Sequence, residues 1–110
     1  MSQALTPEYL DLCRAAWAAE GEGSDVAEFL AEALAFGSDH DLPRRDVRLA
    51  YEAWHRKRVY CGASDHRPLS DHALVGAMLA EGLALEGAHL FYARWKGVKF
   101  KYGKRRQLCR

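Results

Sequence analysis

No stretch of this chain is apolar enough to cross a bilayer. Glu and Asp interrupt every Ala/Leu run well short of the roughly 20 residues that a spanning helix requires. The opening Met1-Ser2-Gln3-Ala4 lacks the basic patch and apolar run of a secretion signal, so a cytoplasmic protein without membrane contact is expected. Cysteine is sparse: Cys13, Cys61 and Cys109 are scattered and odd in number, which predicts reduced thiols rather than a disulfide framework. Catalytic signatures are missing too. There is no Gly-x-Ser-x-Gly turn and no His-Glu-x-x-His pair. The Gly97–Lys104 spacing is one residue too long for a phosphate loop, and Arg105 stands where Ser or Thr is needed. Cys61 and His66 have no second ligand pair nearby, and His40, His55, His72 and His89 are dispersed, which argues against zinc. A non-enzymatic protein with no cofactor and no metal is expected.

The last deficit is of negative charge. Between Arg94 and Arg110 there are eight cations (Arg94, Lys96, Lys99, Lys101, Lys104, Arg105, Arg106, Arg110) and no carboxylate. Residues 1–42 show the opposite bias, nine acids against Arg14 alone, so a formal net charge of +1 hides halves of −8 and +9. Segregation on this scale favours polyanions at the basic end, whatever the total charge.

What is present is helical at first. The 110 residues allow one core. Thr6-Pro7-Glu8 combines a cap, a first-turn proline and an acid at the positive dipole end. Tyr9, Leu12, Cys13 and Ala16 then recur at helical spacing, with Trp17 adjoining, until Gly21-Glu22-Gly23. Val26, Phe29, Leu30, Ala33 and Leu34 predict a second helix from Ser24-Asp25, stopped by Gly37 and followed by a polar loop, 38–41. Pro43 opens a third helix. Val47, Ala50, Tyr51 and Trp54 form its buried stripe, while Arg44, Arg45, Arg48, Glu52, Arg56 and Lys57 are expected to face water. After a turn-rich loop, Ser70 caps a fourth helix with Leu69 as a staple on Leu74, and Gly82 terminates it.

Beyond Gly82 the helical period disappears. Leu83–Leu85, His89–Tyr92 and Trp95–Lys101 read as β structure, with Gly87 as the hairpin turn and Gly97 at a bulge or bend. The expected class is therefore mainly α with a small antiparallel β-hairpin, a winged helix-turn-helix. Its parts are an N-terminal helix and linker (1–23), the winged-helix domain (24–102) and a basic tail (103–110).

In such a module one helix enters the major groove by its amino end, and a cationic hairpin lies along the backbone. That assigns a DNA-contact set of Arg44, Arg45 and Arg48, Ser70 and His72, Arg94, Lys96, Lys99 and Lys101, and Lys104, Arg105 and Arg106. The fourth helix, residues 71–81, holds no Lys or Arg, and its outward face is expected to be Asp71, His72, Ala73, Gly76, Ala77, Ala80 and Glu81. Guanine readout by arginine is absent from it, so binding is expected to be phosphate-led, with duplex DNA ahead of single strands.

Across residues 26–101 the chain resembles the C-terminal winged-helix domain of primase-helicases from phages, plasmids and large DNA viruses. The carriers are Val26-Ala27-Glu28-Phe29-Leu30, Leu49-Ala50-Tyr51-Glu52-Ala53-Trp54, Leu69-Ser70 and Trp95-Lys96-Gly97-Val98-Lys99-Phe100. The resemblance implies DNA contact through the Ser70 helix and the strand ending at Phe100, in replication or transcription of a mobile element. Relatives tend to carry basic residues after that serine, whereas Asp71 and His72 follow here. A chain opening on Met1 without an ATPase segment is expected to be a free-standing relative. The alternative is a protein-binding winged helix, a phage-encoded inhibitor or adaptor of a host nucleoprotein complex. Its partner would dock on the uncharged 70–81 helix or on the acidic first half. A homodimer through the N-terminal helix would equally cover Tyr9, Leu12 and Trp17.

Overall fold

Thr6 opens the first helix as its chemistry predicts, its Oγ1 accepting the Tyr9 N–H at 3.1 Å. The computed structural model describes residues 4–62 and 67–101. They form helices α1 (Pro7–Glu20), α2 (Val26–Ala33), α3 (Arg44–Tyr60) and α4 (Asp71–Ala80), with strands β1 (Leu34–Pro43), β2 (Leu85–Glu86) and β3 (Arg94–Phe100). A 3₁₀ turn, Leu90–Tyr92, precedes β3. The sheet is antiparallel with order β1-β3-β2, so the last strand lies in the middle. Four helices on a small antiparallel sheet make this an α+β fold.

Two local expectations give way here. Leu34 does not continue α2: its backbone turns extended (φ −118°, ψ 141°) and starts β1, opposite Phe100. The segment expected as a polar loop is thus part of a strand. Leu34-Ala35-Phe36 fits a helix or a strand locally, and only the distant β3 decides between them. His89–Tyr92 likewise forms a bridge residue and a 3₁₀ turn rather than a strand.

The core gathers Trp95, Tyr51, Phe29, Leu34, Met78, Val47, Val75, Val98 and Cys13. Phe29 meets Tyr51 edge-on at 5.3 Å between ring centroids, joining α2 to α3. Tyr51 also accepts the buried Leu69 N–H through its hydroxyl at 3.0 Å, which ties α3 to the segment ahead of α4. Arg58 completes the α2–α3 contact by pairing with the buried Asp25 at 3.1 Å and with Glu28 at 3.2 Å. Tyr9 and Cys13 of α1 lie in the same core, so this chain itself covers Tyr9, while Leu12 stays exposed.

The thiols also differ from expectation. Cys13 is free and buried, and burial pushes its pKa up. Cys61 is disulfide-bonded, so the reading of three reduced cysteines does not hold. Spacing along the chain carries no information about which sulfurs meet in space. No helix among the described residues is long and apolar enough to cross a membrane.

Candidate nucleic-acid interface

Ser70 does cap α4, its Oγ accepting the Ala73 N–H at 3.2 Å. It is exposed, but its polar groups already have partners. The Glu20 carboxylate at the end of α1 accepts both the Ser70 N–H (3.0 Å) and the Ser70 hydroxyl (2.8 Å). The N–H first, and then the hydroxyl, hold the Glu20 carboxyl below its ordinary pKa. α1 lies across α4 so closely that a Cβ on Gly76 would run into the Cys13 carbonyl, with Trp17 Cβ only 2.7 Å away. Ala73, Gly76 and Ala77, expected on the outward face, are buried under it. His72 remains exposed, its ring 5.4 Å from that of Tyr9. The small residues permit close approach, and the helix that approaches is the chain's own α1.

A carboxylate with a depressed folded pKa stabilises above its unfolded value and loses that contribution as pH falls through the folded one. Removing the clamp with Glu20→Ala is expected to cost about 1 kcal/mol at neutral pH. The gap between wild type and variant should close progressively as pH falls below the ordinary glutamate range. Thermal melts of both proteins along a pH series check this. A gap that stays constant down to pH about 2 would mean the Glu20 bonds contribute nothing.

The arginines of α3 do not form a phosphate cluster. Arg44, only 12% exposed, pairs with Asp71 at 2.6 Å and donates to the Leu90 carbonyl at 3.3 Å. Arg48 donates to the Leu69 carbonyl at 2.7 Å and pairs with Glu52 at 2.8 Å. Both were expected to face water, and both instead fasten α3 to the start of α4 or to the 3₁₀ turn. Arg45 stays exposed, its guanidinium 4.6 Å from the Phe91 ring centroid.

On β3 the cations are brought together. Trp95 and Val98 are both buried although three positions separate them, which strict alternation forbids. Gly97 resolves the conflict. With φ +72° it sits where β1 inserts residues 37–40 between the Asp41↔Lys96 and Phe36↔Val98 pairs. The bulge resets the phase, so Arg94 and Lys96 before it and Lys99 and Lys101 after it all point away from the core. Gly97 therefore stands at a bulge, as expected.

This face is partly neutralised. Lys96 bonds Asp41 at 2.8 Å. That bond lowers the Asp41 pKa and raises that of Lys96. Arg94 makes only a long contact, 3.4 Å, to the Asp41 carbonyl, and Lys101 donates to the Ala31 carbonyl at 2.6 Å. Carbonyl contacts leave the net charge intact. Arg94, Lys99 and Lys101 are exposed, and among the described residues none has an ion-pair partner. Lys104, Arg105 and Arg106 lie outside the described residues.

Sequence reasoning passed over the 3₁₀ turn. Phe91 and Tyr92 are 47% and 69% exposed, in edge contact at 4.9 Å beside Arg45. Adjacent aromatics in a true strand would place one ring inward, and their adjacency was the available signal. A groove of about 650 Å³ opens between the α1–α2 link and Arg67–Ser70, but its lining sets Glu20 and Glu22 against Arg48 and Arg67. Such a balanced lining has no pull on a polyanion. Among the described residues no three potential metal ligands converge.

Comparison with known proteins finds no matching family model, no matching curated protein and no matching solved structure.

Proposed function

We propose that this chain is a non-enzymatic winged-helix DNA-binding protein serving replication or transcription control of a phage or mobile element. It grips phosphates with the outer face of β3 and does not insert α4 into a groove. Support for the winged-helix reading comes from the element order after α1: helix, strand, two helices, then two strands, with the last strand central. The observation that carries the DNA reading is the bulge at Gly97, which turns Arg94, Lys96, Lys99 and Lys101 to one side. Arg94, Lys99 and Lys101, exposed and without a carboxylate partner among the described residues, suit a regularly charged polymer, and releasing its counterions drives the binding.

The burial of Ala73, Gly76 and Ala77 weighs against base readout by the body of α4 and against protein docking on its Ala/Gly face. Phosphate contacts then dominate, and sequence selectivity is weak. Titrating salt against binding to random duplex DNA tests this. Affinity should fall steeply between about 50 and 200 mM salt. The pair Arg94→Gln with Lys99→Gln should weaken binding by about tenfold or more and flatten the log–log salt slope by about 2. Affinity that does not respond to salt overturns the proposal.

A further inference from the structure

The exposed rings at the 3₁₀ turn are not part of the core. The turn is held by other groups: the Arg44 N–H donates to the Ala93 carbonyl at 2.9 Å, Arg44 Nε donates to the Leu90 carbonyl, and Ala93 is fully buried. Ala4 bridges His89, and the Leu5 N–H reaches the Ala88 carbonyl at 3.4 Å. Both flanks are thus anchored, and the segment between them presents Phe91 and Tyr92 to solvent on a fixed base. Holding two large rings in water forgoes their burial, so the turn is built for an occupant.

Its chemistry indicates which one. The Arg45 guanidinium covers one side of Phe91, and Phe91 meets Tyr92 at 89°, leaving the Tyr92 ring the more open of the two. Two residues further along, Arg94 begins the cationic row of β3. A flat, electron-poor ring joined to a phosphate matches this set: the ring stacks on Tyr92 and the phosphates meet Arg45 and Arg94. A docked protein would draw equally on the rings, but it would not explain Arg45 on Phe91 together with the cationic row that begins two residues after Tyr92. The rigidity of the turn helps as well, because little ordering is left to be done on binding.

We infer that the Phe91–Tyr92 turn stacks an unpaired nucleobase, so the protein recognises duplex DNA carrying a single-stranded extension over blunt duplex. This rests on the DNA-binding reading above and adds a substrate class to it. The test compares fluorescence anisotropy on a blunt duplex of about 20 base pairs with the same duplex extended by a short single strand. Wild type should bind the extended duplex about tenfold more tightly. Phe91→Ala with Tyr92→Ala should bring that ratio to about one, Tyr92→Trp should keep it, and Leu12→Ala on α1 serves as the control. Circular dichroism verifies that each variant is folded.

Equal binding of both DNAs by wild type overturns the inference and leaves phosphate-led binding standing. A ratio unchanged in the folded double variant overturns it as well. If wild type binds neither DNA at low salt, both readings fail. If light scattering shows a dimer that the double variant loses, the rings belong to a second copy of this chain and the inference is wrong.

Discussion

Gly76→Ala is expected to destabilise this protein, against the usual sign for that change. In a helix interior Ala is normally better than Gly by up to about 1 kcal/mol. Here the added methyl has no room, because it points at the Cys13 carbonyl and Trp17 Cβ of α1. One of those atoms is main chain and cannot swing aside as a flexible side chain would. α1 must shift as a body, and that motion pulls Tyr9 and Cys13 from the core and stretches the Glu20–Ser70 bonds. Overpacking of this kind costs about 1–3 kcal/mol, so the Ala variant should lose roughly 1–2 after its helix gain. Gly76→Val adds branching on the same side and should lose about 3 kcal/mol or more. Urea unfolding midpoints measure both. A Gly76→Ala midpoint above wild type would show that α1 does not lie on α4 in solution.

Trp95→Ala should produce the second large effect. Trp95 is 1% exposed near the start of the central strand, opposite Leu42 on β1 and Leu85 on β2. With Arg94 it is one of two residues at which all three strands are paired, and it packs beneath the face that carries the cations. Truncating a buried tryptophan costs about 3–5 kcal/mol through lost contacts and the residual cavity. Domains of this size are stable by only about 5–15 kcal/mol, so the variant should be near its unfolding threshold at physiological temperature. DNA affinity should fall with the folded fraction, and lowering the temperature should restore part of it. A loss under about 1 kcal/mol would place Trp95 outside the core.

These two positions also show where the sequence could be read and where it could not. Trp95 and Val98 are apolar residues in a β-rich basic segment, and their burial follows from composition. Gly76 was visible only as a small residue among others, because nothing local says that another helix will cross there. α1, α3 and α4 were legible from caps and period, each residue's partners lying within one or two turns. β1 was not. Its residues Leu34, Ala35 and Phe36 pair with Phe100, Lys99 and Val98, more than sixty positions away.

The arginines teach the same lesson in charge. Arg44 and Arg48 were expected to reach water, although on a helical wheel they flank Val47 and Tyr51 at i, i+3, i+4 and i+7. The structure brings Asp71 and the Leu69 carbonyl to them, so they hold elements together and add little to the anionic pull. Arg45, the neighbour with no such partner, stays at the surface beside Phe91.

Composition and local order alone determined the charge polarity and the helix starts at Thr6 and Ser70, because each depends on residues close in the chain. Tertiary structure decided that α4 is sheathed, that two α3 arginines are spoken for, and that three β3 cations and Lys101 face away from the core. Those outcomes turn on helix crossings, ion pairs and strand register between distant segments. Distances of that kind are set only when the chain closes on itself.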